Sequence, residues 1–101
     1  MAIAYIQEFD ADPGDRSTTG YDTVKRNMDL GDEAPDGLIV HTAGFDGDVF
    51  RIFDVWESEA HWTRFRDERL MPAVEKMMAE NPTGAPPARE STYELHDILP
   101  S

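Results

Sequence analysis

Two apolar, β-branched runs, "GLIVHTAGF" and "VFRIFDVW", are separated only by "DGD". No other feature restricts the fold of this chain as strongly. Asp-Gly between two such runs is tight-hairpin chemistry, because glycine accepts the positive φ that the turn requires. Setting Phe45 opposite Val49 pairs His41 with Phe53, Val40 with Asp54 and Leu38 with Trp56. One face then carries Leu38, Val40, Thr42, Phe50, Ile52, Asp54 and Trp56, and the other Ile39, His41, Ala43, Arg51, Phe53 and Val55. Both faces are largely apolar. A hairpin with one wet face alternates more cleanly, so each side of this sheet needs a cover.

The flanking segments supply covers. "AIAYIQEF" (2–9) reads as a strand mostly buried on both faces. "DADPGDRSTTG" is turn chemistry throughout. From Tyr21 the spacing Tyr21, Val24, Met28 predicts a short helix, with Gly31 as its C-cap. Ser58 is suited to cap a second helix, with Glu59 in the first turn where the helix dipole favours an acid. Its apolar stripe is Trp62 and Phe65, then Leu70, Ala73, Val74 and Met77. The stripe rotates near Pro72, which predicts a kink or break there. "NPTGAPPAR" (81–89) reads as a connector, and "STYELHDIL" (91–99) as a last strand carrying His96.

The order β-α-β-β-α-β is an α+β, ferredoxin-like arrangement. It predicts a four-stranded antiparallel sheet in the order 4-1-3-2, with both helices on one face. A second copy's sheet is the economical cover for the other face, so a homodimer is expected. The 101 residues suffice for one domain spanning the whole chain.

Composition narrows the partners. Twenty-one acids against nine bases give a net charge of −12. Such a chain repels phosphate backbones and anionic membranes, so neither nucleic acid nor membrane is an expected partner. With no cysteine, thiolate nucleophiles, disulfides and Cys-ligated metals are excluded. No run reaches the ~20 apolar residues of a membrane helix, and "MAIAYIQEFD" has no basic n-region. The expectation is a cytoplasmic protein.

Several side chains could carry chemistry, and each has a plainer reading. Asp54, mid-sheet among apolar neighbours, is either a general base with a raised pKa or a structural partner of Arg66 or Arg69. His41 is either catalytic or packed at an interface. His61 follows Glu57 at i+4, the spacing of a surface pair. Trp56, Trp62 and Phe65 either wall an aromatic pocket for a planar ligand or fill a core, and Tyr5 needs a hydrogen-bond partner if buried. Arg66 either anchors an acidic substrate group or pairs with a neighbouring acid. No HxH or HExxH spacing, glycine-rich phosphate loop or G-x-S-x-G elbow is present, so neither metal nor cofactor is expected.

The stretch "FRIFDVWESEAHWTRF" resembles the dimeric α/β-barrel proteins, and most closely their antibiotic-biosynthesis-monooxygenase type. The residues carrying the likeness are Asp54, Trp56, Ser58, Glu59 and Ala60. "GLIVHTAG", "FRIFDVWES" and "FRDERLMPA" together look like a small bacterial branch of that fold. The resemblance implies a homodimer with facing sheets and a pocket between sheet and helices. Some such proteins oxidise polycyclic aromatic substrates with O2 and no cofactor; others degrade haem. The oxygenases typically use an Asn, a Trp and a Tyr or His. Trp56 or Trp62 can stand for the tryptophan. The asparagine is unmatched, since Asn27 and Asn81 lie elsewhere, and so is the helix-two histidine of haem-degrading members, since His61 lies too early. The leading expectation is thus a cofactor-independent monooxygenase on a planar organic substrate, with Asp54 or His41 as base and Tyr5, Trp56, Trp62, Phe65 and Arg66 around the pocket. The alternatives are a non-catalytic dimer that binds a small ligand or a partner protein, and an isomerase or cyclase.

Overall fold

A computed structural model describes residues 1–31, 33–80 and 87–99. The elements are β1 (Ile3–Asp10), α1 (Thr19–Met28), β2 (Leu38–Asp46), β3 (Val49–Trp56), α2 (Glu59–Phe65), α3 (Met71–Glu80) and β4 (Arg89–Glu94). The strands form one antiparallel sheet in the order β2-β3-β1-β4, which is the expected ferredoxin-like order. β4 starts and ends earlier than expected, so His96 lies beyond the strand instead of on it. Residues 81–86 of the expected connector lie outside the described residues.

The hairpin departs from the expected register in an instructive way. Its loop is two residues, Gly47 and Asp48, with Gly47 at φ 61°. Asp46 therefore pairs with Val49, Phe45 with Phe50, and His41 with Asp54. A bulge between Leu38 and Val40 absorbs one residue and restores the Leu38–Trp56 pair. Between bulge and turn the expected pairing is off by one. Because side chains alternate with period two, that slip turns His41 onto the face of Asp54, not the opposite face.

The second helical run begins as expected. The Ser58 hydroxyl accepts the His61 N–H at 3.2 Å. α2 continues without interruption into α3, but residues 66–70 form a π turn in which the Met71 N–H reaches the Arg66 carbonyl. The expected disturbance at Pro72 takes this form: proline lacks an N–H, so the Glu68 carbonyl loses its i+4 donor and the ladder rearranges one turn earlier. α1 ends at Asp29, which adopts the left-handed conformation at φ 50°; the expected cap, Gly31, lies two residues further on.

The core fills one end of the space between sheet and helices. Ile3, Tyr5, Trp56 and Trp62 are buried, with Leu38, Phe65 and Leu70 packed around them. Ring centroids lie 4.0 Å apart for Tyr5–Trp62, 5.0 Å for Trp56–Phe65 and 5.8 Å for Trp56–Trp62. α1 packs along α3, where Ala73 is buried and its carbonyl accepts from Asn27 Nδ2 at 3.3 Å.

The opposite sheet face carries a row of Val40, Val55, Ala4 and Tyr93 across all four strands. Val40 and Tyr93, at the two edges, are exposed. Nearer the hairpin tip that face carries ion pairs. Glu8 meets Arg51 at 2.7 Å and Arg89 at 3.2 Å. The Arg51 guanidinium first, and Arg89 with it, holds the Glu8 carboxyl below its usual range.

Candidate functional site

Three side chains from three elements converge at the other end of the sheet–helix space. β3 supplies Asp54, buried at 6% exposure. β2 supplies His41, whose Nδ1 lies 2.6 Å from Asp54 Oδ1. α1 supplies Tyr21, whose hydroxyl lies 2.5 Å from His41 Nε2. His41's side chain is 34% exposed, between the buried Asp54 and the half-buried Tyr21.

With Asp54 ionised, one tautomer of a neutral His41 satisfies both contacts. An ionised Asp54 is acceptor-only, so the Nδ1–H of His41 donates to it. Nε2 is then a lone pair and accepts the Tyr21 O–H. Burial first, and the charges of Asp54 and Asp22 after it, raise the Tyr21 pKa, which keeps the phenol neutral and donating. Asp54 orients the imidazole and stabilises the imidazolium that forms when Nε2 takes a proton. A histidine held in this way between a carboxylate and a phenol is the kind of arrangement that general acid–base chemistry uses.

A second aromatic group surrounds it. Tyr21 lies 5.4 Å from Phe50, and Phe50 lies 5.0 Å from Phe45 and 6.5 Å from Phe9, between ring centroids. All four are half-buried. The Arg16 guanidinium sits 4.9 Å over the Phe45 ring.

The structure brings together Asp54 and His41 from among the expected site residues. Tyr5 is the cross-strand partner of Asp54, but the rings of the expected pocket wall turn to one another. Trp56, Trp62, Phe65 and Tyr5 stack on one another in the core. Tyr5 donates its hydroxyl to Glu90 at 2.7 Å, and burial, followed by the Glu90 carboxylate, pushes its pKa up. Among the described residues Trp56 Nε1 finds no acceptor. Asp54 is tied to His41, and not to Arg66 or Arg69. Arg66 pairs with Asp67 at 3.1 Å on the surface, and Arg69 reaches the Met28 carbonyl at 3.5 Å. His61 accepts from or donates to Ser58 Oγ at 2.7 Å and approaches Glu57 at 3.8 Å. It borders a surface cleft of about 490 Å³ between α2 and the loop after α1. No group of three or more His, Asp or Glu side chains among the described residues could hold a metal ion.

Tyr21 and the ring cluster were not among the expected site residues. Tyr21 was legible only as part of the apolar stripe of α1, which does say that it faces the sheet. Which sheet residue it meets depends on the hairpin register.

No protein-family model and no curated protein sequence matches the chain. Solved structures do. Rv0793 from Mycobacterium tuberculosis superposes with a TM-score of 0.68 at 18% identity, covering 98% of this chain and 99% of that one. SnoaB, a cofactor-independent oxygenase from Streptomyces nogalater, gives 0.62 at 11% identity, covering 99% and 98%. A Chloroflexus aurantiacus protein assigned as an antibiotic biosynthesis monooxygenase gives 0.56 at 20%, covering 92% and 91%. At these identities the likeness speaks for architecture alone. The chain has the ferredoxin-like fold of the antibiotic-biosynthesis-monooxygenase-like proteins.

Proposed function

We propose that the chain is a cofactor-independent monooxygenase acting on a planar, enolisable or phenolic substrate, with His41 as general base. The Tyr21–His41–Asp54 line carries this reading. The fold shared with a cofactor-independent oxygenase supports it. A substrate hydroxyl takes the place of the Tyr21 hydroxyl at Nε2 and gives up its proton there, while Asp54 stabilises the imidazolium. The resulting anion is electron-rich enough to pass one electron to O2. Recombination forms a C–O bond, and loss of water from the hydroperoxide leaves a carbonyl. The peroxide takes back the proton held by His41, one oxygen atom ends in the product and the other in water, and the substrate loses two hydrogens, one from its hydroxyl and one from the carbon. The test is oxygen uptake with 1,8-dihydroxyanthrone, corrected for its spontaneous oxidation. The wild type should raise the rate, and His41→Gln should lower the enzymic part by roughly 10²–10⁴-fold. An unchanged rate in His41→Gln would remove the base assignment.

We also propose a homodimer through the open sheet face. The exposed Val40 and Tyr93 continue a row whose inner members, Ala4 and Val55, are already buried. A monomeric mass by sedimentation at micromolar concentration would exclude it.

A further inference from the structure

We infer that Arg16 selects substrates of the proposed site that carry an acidic group on a planar aromatic frame. This rests on the acid–base reading above, whose failure the test separates from its own. Arg16 lies in the β1–α1 loop, and its guanidinium sits 4.9 Å over the Phe45 ring. From Phe45 the rings run without interruption through Phe50 and Tyr21 to His41. A cation and a base thus stand at opposite ends of one aromatic surface. Flat ligands stack on such a surface, and its two polar ends fix their orientation.

The state of Arg16 supports a ligand role. Its acidic contact is Asp48 at 3.4 Å, through one nitrogen, with both side chains 51% exposed. Such a single, long, solvated pair contributes little and exchanges easily. Compare Arg51, held by Glu8 at 2.7 Å and Asp46 at 3.1 Å, or Arg89, held by Asp10 at 2.6 Å. Those two lie on the charged row around Glu8, whereas Arg16 stacks on the ring cluster that leads to His41. The chain's net charge of −12 sharpens the point. An anionic aromatic approaching this protein is repelled overall, so a local guanidinium must supply the attraction, and its planar fork matches a carboxylate bidentately.

The experiment compares two probes that differ by one carboxylate at the end remote from the hydroxyl, 2-naphthol and 6-hydroxy-2-naphthoate, titrated by NMR against the whole protein. Wild type should bind the naphthoate roughly tenfold or more tightly than the naphthol, as a charge-assisted contact allows. Arg16→Gln should erase that ratio while leaving naphthol binding unchanged, and Arg16→Lys should restore part of it. Shifts should centre on Phe45 and Phe50. Equal binding of the two probes, binding of neither, or a ratio that survives in Arg16→Gln overturns the inference. His41→Gln should keep the ratio. If the ratio is present and no probe is ever turned over, the oxygenase reading fails and the recognition role of Arg16 stands.

Discussion

The two ends of the space between sheet and helices are built from similar residues and reach opposite states. At one end Tyr5, Trp56, Trp62 and Phe65 close on each other, with Trp56 at 1% exposure. At the other, Phe9, Tyr21, Phe45 and Phe50 remain half-buried around a hydrogen-bonded histidine and a buried acid. Helix position accounts for the difference. α2 and the π turn press Trp62, Phe65 and Leu70 onto the strands, whereas α1 packs along α3 and sends Tyr21 to the sheet.

If the closed end is the stability core, its truncation should dominate. Trp56→Ala should cost about 3–5 kcal/mol in denaturant unfolding, the range for removing a buried ring that its neighbours cannot replace. His41→Gln, at the open end, should cost less, about 1–2 kcal/mol, chiefly by weakening the hydrogen bond to the buried Asp54. Comparable losses would show that the two ends are not divided in this way.

A second test concerns how the open end is assembled. Deleting Ile39 removes the bulge residue and favours continuous pairing from the Leu38–Trp56 pair. Val40 then follows Leu38 directly in the ladder, so His41 stays opposite Asp54 and keeps its partner. In NMR the His41 ring resonances should keep their dependence on Asp54→Asn. If that dependence is lost, the register is held by the bulge and not by the turn.

This same bulge marks the limit of what the sequence discloses. Element order, sheet order, the Ser58 cap and the disturbance near Pro72 all follow from turn chemistry, periodicity and proline's missing N–H. The aromatics of the closed end were legible as core or as pocket wall, and packing decided for core. The pairing of His41 with Asp54 was not legible. "DGD" serves equally a two- or three-residue loop, and the bulge residue, Ile39, has no distinguishing chemistry. A single residue of register decides whether His41 lies beside Asp54 or on the opposite face. Tyr21 stayed hidden for the same reason.

A smaller effect tests the corner where the closed end begins. Ser58 Oγ accepts the His61 N–H and also contacts His61 Nδ1, which sets the entry of α2 above Trp56. Ser58→Ala should cost about 1 kcal/mol in chemical unfolding, as loss of an N-cap does. The Tyr21–His41–Asp54 resonances should not move. A shift there would mean that the two ends communicate through α2.

The smallest effect separates the ends by pH. The Tyr5 hydroxyl gives its proton to a hydrogen bond with Glu90, an exposed acid, so Tyr5→Phe should cost only about 0.5 kcal/mol at neutral pH. The pKa of Tyr5 is raised, chiefly by burial and then by Glu90, above the usual value near 10. Folding therefore favours the neutral phenol. That stability is fully present below about pH 10 and drains away as pH rises from there, because the unfolded chain then loses the proton first. Wild type should lose stability steeply above pH 10, and Tyr5→Phe more gently. Tyr21 is raised in the same direction by its own burial, so the remaining slope in Tyr5→Phe belongs to the open end and should disappear in Tyr5→Phe/Tyr21→Phe. An equal slope in wild type and Tyr5→Phe would mean that the Tyr5 phenol is hydrated in solution, and that the end built around Trp56 is less closed than its packing implies.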